Sequence, residues 1–286
     1  MSTFTESDVE YLRHDGEPLL ARLYRPEGAG PHPAVVSIHG GAWTANDRFS
    51  TADVDRYLAQ SGVVVLALDL RLGAVAKYPG QVVDANAGIR WLKVHAEELG
   101  SRPALVGGVG SSSGGHVVLL CALRPADPRF TTGVVAGAAD VSAELAYVVA
   151  CWPVADPLAR YRMARERGND RLVEAHQTFW ADEAEMAAGN PQLILERGEA
   201  THLPPALIVQ GTADDNLPPD SASRLAAAYR AAGGSAELQL FEGEPHGFIK
   251  RDPAADGPRR ALAAIGAFVE RHASPELTRG ARATAR

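Results

Sequence analysis

The chain has 286 residues, of which 46% are hydrophobic and 22% are charged, a composition typical of a soluble globular protein. The content of glycine and proline, 28 and 19 residues, excludes a collagen-like or wholly disordered chain. The formal net charge of −7 argues against nucleic-acid binding, which needs clustered lysine and arginine. No apolar run approaches the roughly 18–20 residues that span a bilayer, so no membrane partner is expected.

The N-terminal sequence MSTFTESDVEYLRHDG has no basic stretch followed by an apolar core. No secretory signal is therefore predicted, and a cytoplasmic location is expected. Cys121 and Cys151 are too few for a disulfide framework, and their apolar surroundings predict reduced, buried side chains. The histidines are scattered along the sequence, so no metal site is expected.

Short apolar runs alternate with longer helical patterns, which predicts an α/β fold with a mostly parallel central sheet and helices on both faces. The expected strands are Val9–His14, Leu19–Tyr24, Ala34–Ile38, Val63–Leu68, Ala104–Val109, Tyr147–Trp152, Ala206–Gln210 and Leu238–Phe241. The expected helices are Thr51–Gln60, Pro79–Leu99, His116–Leu123, Ser221–Ala232 and Arg259–His272.

One long segment, Pro153–Pro204, has a mixed helical pattern and no strong strand pattern. We interpret it as a helical insertion over the C-terminal edge of the sheet, within a single domain of residues 1–273. The polar, basic segment 274–286 has no apolar period and is expected to be a flexible tail.

The strongest chemical signal is a Gly-x-Ser-x-Gly motif at Gly110, Ser112 and Gly114. An expected strand precedes it and an expected helix follows, as is required for a serine exposed on a sharp, strained turn. Of three consecutive serines, only Ser112 has a glycine two positions away on each side, which makes it the candidate nucleophile. A Gly/Ser-rich turn at a helix start, or an anion-binding loop, is the alternative interpretation.

A second motif, His39-Gly40-Gly41-Ala42-Trp43, follows the strand expected beside the nucleophile strand. Acyl transfer needs backbone N–H donors aimed at the oxygen that becomes negative, and a glycine pair lets the backbone approach that atom. We therefore expect the N–H groups of Gly40, Gly41 and Ser113 to form an oxyanion hole, with Ala42 as a further candidate. The alternative is a Gly-Gly turn selected only for its left-handed dihedral angles.

His246 follows the last expected strand, at the sheet edge where the sites of such folds collect. His39 and His116 lie inside the two motifs and are expected to be structural. The acid partner of His246 should follow the penultimate strand, where Asp214 is the first choice and Asp215 the second. Two adjacent carboxylates could also simply end a strand or cap the next helix. The order serine, aspartate, histidine is the one that α/β hydrolases use.

Together these motifs resemble the α/β-hydrolase superfamily and, within it, HGG-type esterases. The resemblance is to hormone-sensitive-lipase-like esterases and to the bacterial feruloyl and acetyl-xylan esterase-like group. The segments that carry it are His39-Gly40-Gly41-Ala42-Trp43, Gly110-Ser111-Ser112-Ser113-Gly114-Gly115-His116, Gly211-Thr212-Ala213-Asp214 and His246-Gly247-Phe248. They extend over most of the chain.

The segment Asp69-Leu70-Arg71-Leu72 resembles the D-Y-R-L segment of the same family, and Arg71 is expected to serve the scaffold by pairing with Asp84. The sequence departs from the hormone-sensitive-lipase-like pattern at the residues flanking the nucleophile, Ser111 and Ser113. It also reaches its HGG motif by residue 39, which leaves Pro153–Pro204 as the expected substrate-selecting lid.

The resemblance implies a serine carboxylesterase for short-chain or small aromatic carboxylic esters, working through Ser112, His246 and Asp214 without a cofactor. Its expected partner is a small-molecule ester, and a homodimer is compatible with the sequence. The candidate pocket residues are three aromatic side chains: Trp43, Phe179 and Trp180. The same triad also fits an arylformamidase-like or other C–N hydrolase, and a non-catalytic binder of small ligands is the remote alternative.

Overall fold

A computed structural model describes residues 2–283, with side chains described up to residue 273. In this part of the chain one 8-stranded sheet has the order β1-β2-β4-β3-β5-β6-β7-β8. The strands are β1 (Phe4–His14), β2 (Glu17–Pro26), β3 (Ala34–Ile38), β4 (Val64–Leu68), β5 (Val106–Ser111), β6 (Val148–Cys151), β7 (Ala206–Gly211) and β8 (Ala236–Phe241). The helices are α1 (Ala52–Gln60), α2 (Gly80–Val94), α3 (Ser113–Leu123), α4 (Pro157–Glu166), α5 (Asp170–Phe179), α6 (Glu183–Ala188), α7 (Pro191–Glu196), α8 (Ser221–Ala231) and α9 (Asp256–Ala283).

The sheet is parallel from β4 to β8, and only the N-terminal strands run antiparallel to their neighbours. The β1–β2 hairpin turns at Asp15 and Gly16, whose φ angles of 48° and 88° suit a two-residue hairpin loop. The predicted mostly parallel α/β fold is therefore confirmed.

The connections between the central strands place helices on both faces of the sheet. Helix α1 leads from β3 to β4, whereas α2 leads back in the opposite direction to β5 beyond β3. Because such crossovers are almost always right-handed, the reversal puts the two helices on opposite faces. Every residue of β3 and β4 is buried, as expected for strands covered on both sides. The reversal also creates the crevice at the carboxyl ends of β3 and β5 where ligands bind in open α/β sheets.

The segment between β6 and β7 is helical, as the sequence predicts, and contains α4, α5, α6 and α7. Each of these helices begins with a side-chain oxygen that accepts a backbone N–H of the first turn. The capping residues are Asp156, Asn169, Asp182 and Asn190. Short helices of this kind need such caps because their own backbone hydrogen bonds are few.

The expected scaffold pair forms between Arg71, which follows β4, and Asp84 on α2. Arg71 Nη2 lies 2.7 Å from Asp84 Oδ1, and the Arg71 N–H donates to Asp84 Oδ2 at 2.9 Å. His14 Nε2 reaches the same carboxylate at 2.9 Å. The fully buried carboxylate thus ties β1 and the loop after β4 to α2.

Helix α9 extends to Ala283, past the predicted end at His272. Most of the segment expected to be a flexible tail therefore falls within this helix, and residues 284–286 lie outside the described part of the chain. Among residues 2–283, no helix combines the length and the apolar character needed to cross a membrane.

Candidate active site

Ser112 occupies the sharp turn between β5 and α3, with φ 55° and ψ −119°. A positive φ is costly for a residue with a side chain and persists only where the surroundings enforce it. Here the surroundings are tight: a Cβ at Gly110 would lie 2.3 Å from the Gly114 carbonyl oxygen, and one at Gly114 would lie 2.2 Å from that of Ile38. The Ser112 N–H also donates to the Cys151 carbonyl at 2.9 Å. The motif glycines are therefore needed for the turn to form.

A hydrogen-bonded chain joins Ser112, His246 and Asp214. The Ser112 Oγ lies 2.9 Å from His246 Nε2, and His246 Nδ1 lies 2.7 Å from Asp214 Oδ2. Since the carboxylate can only accept, Nδ1 carries the proton and Nε2 is left to accept the serine proton. The structure thus brings together the three residues that the sequence selects.

Asp214 is held by more contacts than the sequence predicts. Gln210 Nε2 donates to its Oδ2 at 2.8 Å, and the Asn216 N–H donates to its Oδ1 at 2.9 Å. Burial alone would raise the pKa of Asp214, but the hydrogen bond from His246 and the other donors outweigh it and hold the pKa below its usual value. Asp214 is therefore ionised at neutral pH. Asp215, the second candidate, is exposed, and its carbonyl accepts from Arg167.

The HGG segment forms a left-handed loop beside Ser112. Gly41, Ala42 and Trp43 have φ angles of 117°, 50° and 63°. A Cβ at Gly40 would lie 3.1 Å from Ser112 Cβ, so the Gly40 backbone packs directly against the candidate nucleophile. This close approach is what the sequence predicts for backbone donors of an oxyanion hole.

Three side chains hold this loop in place. Asn46 Nδ2 donates to the Gly40 carbonyl at 3.1 Å, Gln81 Nε2 to the Trp43 carbonyl at 2.8 Å, and the Trp43 N–H to Ser113 Oγ at 3.2 Å. Ser113 is the first residue of α3, so its own N–H has no acceptor within the helix. The sequence does not predict this contact of the Ser113 side chain.

His39 and His116 lie behind the HGG loop, in agreement with the structural role expected of them. His116 Nδ1 accepts from Trp43 Nε1 at 3.2 Å, and its Nε2 donates to the Gly189 carbonyl at 2.8 Å. Burial lowers the pKa of His116 to about 4, so the ring is neutral at neutral pH. His39 Nδ1 donates to the Gly40 carbonyl at 2.7 Å.

A cavity of about 330 Å³ opens beside the triad. It is bounded by the HGG loop, by the turn at Ser112, and by residues of α4, α5 and the loop after His246. Its lining residues are Gly40, Gly41, Ala42, Thr44, Ala45, Asn46, Ser111, Ser112, Trp152, Arg160, Arg171, Leu172, Asn216, His246, Gly247 and Lys250. The insertion therefore borders the site, but through Arg160, Arg171 and Leu172, which no sequence motif marks.

Trp43, Phe179 and Trp180 do not line this cavity, so their predicted role in the pocket is wrong. All three side chains are at most 1% exposed, and they lie in an aromatic cluster behind the HGG loop. Trp43 and Phe179 stack with their rings 5.2 Å apart, and Trp180 stacks on Tyr78 at 4.6 Å. The cluster packs the insertion onto the sheet domain, because large aromatic surfaces gain more from mutual burial than from lining an open cleft.

No group of three or more histidine, cysteine, aspartate or glutamate side chains within the described residues is placed to hold a metal ion. The site itself offers a serine hydroxyl, an imidazole and backbone N–H donors. A serine activated by an imidazole, next to converging N–H groups, is suited to attack on a carbonyl.

The sheet order, the strained serine after β5 and the chain order of the triad residues define an α/β hydrolase. Within this class, residues 22–229 match the BD-FAE family, and the chain belongs to that family.

Several known proteins with similar sequences or structures are named as esterases or ester hydrolases. The carboxylic ester hydrolase LipN of Mycobacterium tuberculosis is 29% identical over 264 residues, which cover 88% of this chain and 67% of LipN. The ethyl acetate hydrolase of Pseudomonas putida is 26% identical over 275 residues, or 93% of this chain and 82% of that protein. A propionate-bound structure of the esterase Est2 of Thermogutta terrifontis is 28% identical, with a TM-score of 0.74 and coverage of 92% and 93% of the two chains. The chain spans between 30% and 67% of the length of the first three curated relatives that it matches.

Proposed function

We propose that this protein is a serine hydrolase of carboxylic esters. The observation that carries the proposal is the chain from Ser112 Oγ to His246 Nε2 at 2.9 Å and from His246 Nδ1 to Asp214 Oδ2 at 2.7 Å. The similarity to proteins named carboxylic ester hydrolase and ethyl acetate hydrolase supports an ester as the substrate.

In the proposed reaction, Ser112 Oγ attacks the ester carbonyl while His246 Nε2 takes the serine proton. Asp214 keeps the imidazole in the correct tautomer and stabilises its charged form. The N–H groups of Gly40, Gly41 and Ser113 hold the oxyanion. His246 then returns the proton to the leaving alcohol, and water activated by the same nitrogen hydrolyses the acyl-enzyme.

The small cavity supports short-chain or small aromatic esters as substrates. Its volume of about 330 Å³ is near the lower end of the range for ligand pockets, roughly 300–1,000 Å³. An acyl chain of many carbons would have to extend beyond the lining residues. The substrate class is thus limited by the space in front of Ser112.

Hydrolysis of p-nitrophenyl acetate by the parent chain and its Ser112→Ala variant tests the proposal. The variant should lose roughly 10³-fold or more in turnover, because triad members act as a unit. The matched variant Ser111→Ala should stay within about tenfold of the parent, since only the Ser112 hydroxyl contacts His246.

A fluorophosphonate probe followed by peptide mass spectrometry identifies the nucleophile, and a label on Ser111 or Ser113 would refute the assignment. Turnover of N-formylkynurenine measures the rival activity on C–N bonds. If it exceeded turnover of p-nitrophenyl acetate in kcat/KM, the protein would be a C–N hydrolase that uses the same triad.

A further inference from the structure

The charge of the cavity beside Ser112 is opposite to that of the whole chain. Its lining residues include three cationic side chains, Arg160, Arg171 and Lys250, and no aspartate or glutamate. The formal net charge of the chain is −7, so a positive cavity is not the consequence of a generally basic surface. A simple neutral ester gives no reason for this arrangement.

Arg160 is the most informative of the three because it is only 2% exposed. Its Nη2 donates to Asn216 Oδ1 at 2.6 Å, and its Nε donates to the Asn216 carbonyl at 3.3 Å. Its Nη1 is buried and, among the described residues, has no hydrogen-bond acceptor. A buried cationic donor without an acceptor is costly, and such a group marks a position where a ligand completes the bonding.

No carboxylate of the described chain forms a salt bridge with Arg160. The carboxylate that acts on it electrostatically is Asp214, which is already hydrogen-bonded to His246. Burial lowers the pKa of Arg160 to about 10, so the guanidinium still carries its charge at neutral pH. The ring of Trp43, 5.8 Å away, provides a cation–π contact but no acceptor for Nη1.

The other two cations lie at the exposed side of the cavity. Arg171 belongs to the first turn of α5 next to Leu172, and Lys250 follows the candidate triad histidine. In the described part of the chain, the salt bridges within 4.0 Å involve neither of them. Arg171 is therefore available to attract an anion toward the buried donor, whereas Lys250 is also acted on by the carboxylates of Asp55, Asp53 and Asp47.

We propose that the cavity selects esters that carry a carboxylate on the acyl or the alcohol part, with Arg160 Nη1 as its hydrogen-bond donor and Arg171 as the neighbouring positive charge. The proposal rests on the proposed esterase function and specifies its substrate class. A hydrogen bond between a guanidinium and a carboxylate is charge-assisted and stronger than one between neutral groups. The neutral analogue of such an ester would leave Nη1 without an acceptor.

A purely structural role for Arg160 is the rival explanation. In that case its bonds to Asn216 would only fix the loop that carries Asp214, and its loss would slow neutral and anionic esters equally. The ratio of kcat/KM for an anionic ester to kcat/KM for its neutral partner separates the two roles. This ratio cancels any general damage to the triad.

Two matched substrate pairs measure the ratio on each side of the ester. Monoethyl glutarate and ethyl pentanoate both release ethanol, but only monoethyl glutarate carries a carboxylate at the end of its acyl chain. For the alcohol side, 4-acetoxybenzoate and its methyl ester both release acetate, but only 4-acetoxybenzoate carries a free carboxylate on the alcohol part. The parent enzyme should favour the anionic member of at least one pair by roughly tenfold or more.

Three substitutions test Arg160 and Arg171. Arg160→Gln should lower the ratio by roughly tenfold or more, as for the loss of a buried charged hydrogen bond. Arg171→Gln, at an exposed position that tolerates change, should lower it by roughly two- to fivefold, and Arg171→Lys should retain it. The control Arg165→Gln removes an equally charged, exposed side chain of α4 that pairs with Glu183 outside the cavity, and should leave the ratio unchanged.

Calorimetric titration with glutarate tests the anion site without any turnover. Binding to the parent that is lost in Arg160→Gln and weakened in Arg171→Gln supports the site, even if no ester is hydrolysed and the proposed function fails. Efficient hydrolysis of neutral esters, together with ratios near one and no glutarate binding, overturns the anion site and leaves the esterase function intact. A ratio that falls equally in Arg165→Gln also overturns it, because the effect would then come from net charge alone.

Discussion

Gly40 faces Ser112 so closely that a Cβ on residue 40 would lie 3.1 Å from Ser112 Cβ and 3.0 Å from the Ser111 carbonyl oxygen. We expect Gly40→Ala to lower kcat/KM by roughly 10- to 100-fold, because the added methyl group displaces the nucleophile or the loop by a few tenths of an ångström. Steady-state kinetics on p-nitrophenyl acetate measures the effect.

The matched control for Gly40→Ala is Gly266→Ala. A Cβ there would also approach a neighbour to 3.1 Å, in this case the Tyr57 ring, and neither residue lines the cavity. This variant should change thermal stability and leave kcat/KM unchanged. Equal activity of the two variants would show that the close approach of Gly40 has no catalytic importance.

The parts of the structure that the sequence predicts are those set by short-range constraints. The strand Ala34–Ile38 has its predicted bounds because an uninterrupted apolar run between turn residues fits only a strand covered on both faces. The turn at Ser112 follows from glycines that no other residue could replace. The places of Asp214 and His246 follow from chain order, because parallel strands bring their carboxyl ends to one edge.

The parts that it does not predict depend on contacts between distant residues. Residue type predicts Trp43 and Phe179 in the pocket, but type does not determine on which side of a helix or loop a ring packs. Arg160 contacts Asn216, which is 56 positions away, and no motif marks either residue. The sequence predicts that α9 ends at His272, because the polar segment beyond it lacks an apolar period, whereas the helix extends to Ala283.

Asp214→Asn should reduce kcat by roughly 10²–10⁴-fold, because the amide keeps the shape of the side chain but no longer holds the required tautomer of His246. Asp215→Asn should have a much smaller effect, since Asp215 is exposed and the hydrogen bond of His246 goes to Asp214 rather than to Asp215. Kinetics of both variants on one ester gives the comparison. The reverse order of effects would assign the acid to Asp215.

Phe179→Ala should destabilise the fold without changing substrate preference. Phe179 is fully buried against Trp43, and removal of such a ring costs about 3–5 kcal/mol of unfolding free energy. Leu172→Ala, by contrast, shortens a side chain that lines the cavity and so enlarges the cavity. It should shift the preference between acetate and butyrate esters by about 1–3 kcal/mol. Urea denaturation and a short ester series measure both. If Phe179→Ala changed the ranking of esters, the aromatic cluster would belong to the pocket after all.

Asp55, on α1 behind the active site, gives a prediction on pH and stability. Its side chain is completely buried, and burial raises its pKa to about 7 despite the nearby hydroxyls of Ser37 and Thr51 and the positive charge of Lys250. In the unfolded chain the ordinary pKa of 3.8 returns, so the unfolded state loses the proton first as the pH rises. The free energy of unfolding therefore falls between about pH 4 and pH 7, by up to about 4 kcal/mol for this group.

Asp55→Asn stays neutral throughout that range and should remove this loss. At each pH, the gain is the unfolding free energy of Asp55→Asn minus that of the parent. This gain should be about 2–4 kcal/mol larger at pH 8 than at pH 4.5. The control is Asp140→Asn at an exposed position, and it should show no such difference between the two pH values. Chemical denaturation of the three proteins at both pH values provides the measurement. An equal gain at pH 4.5 and pH 8 would mean that Asp55 already ionises in the folded protein at the lower pH, with Lys250 as the cation that stabilises its charge.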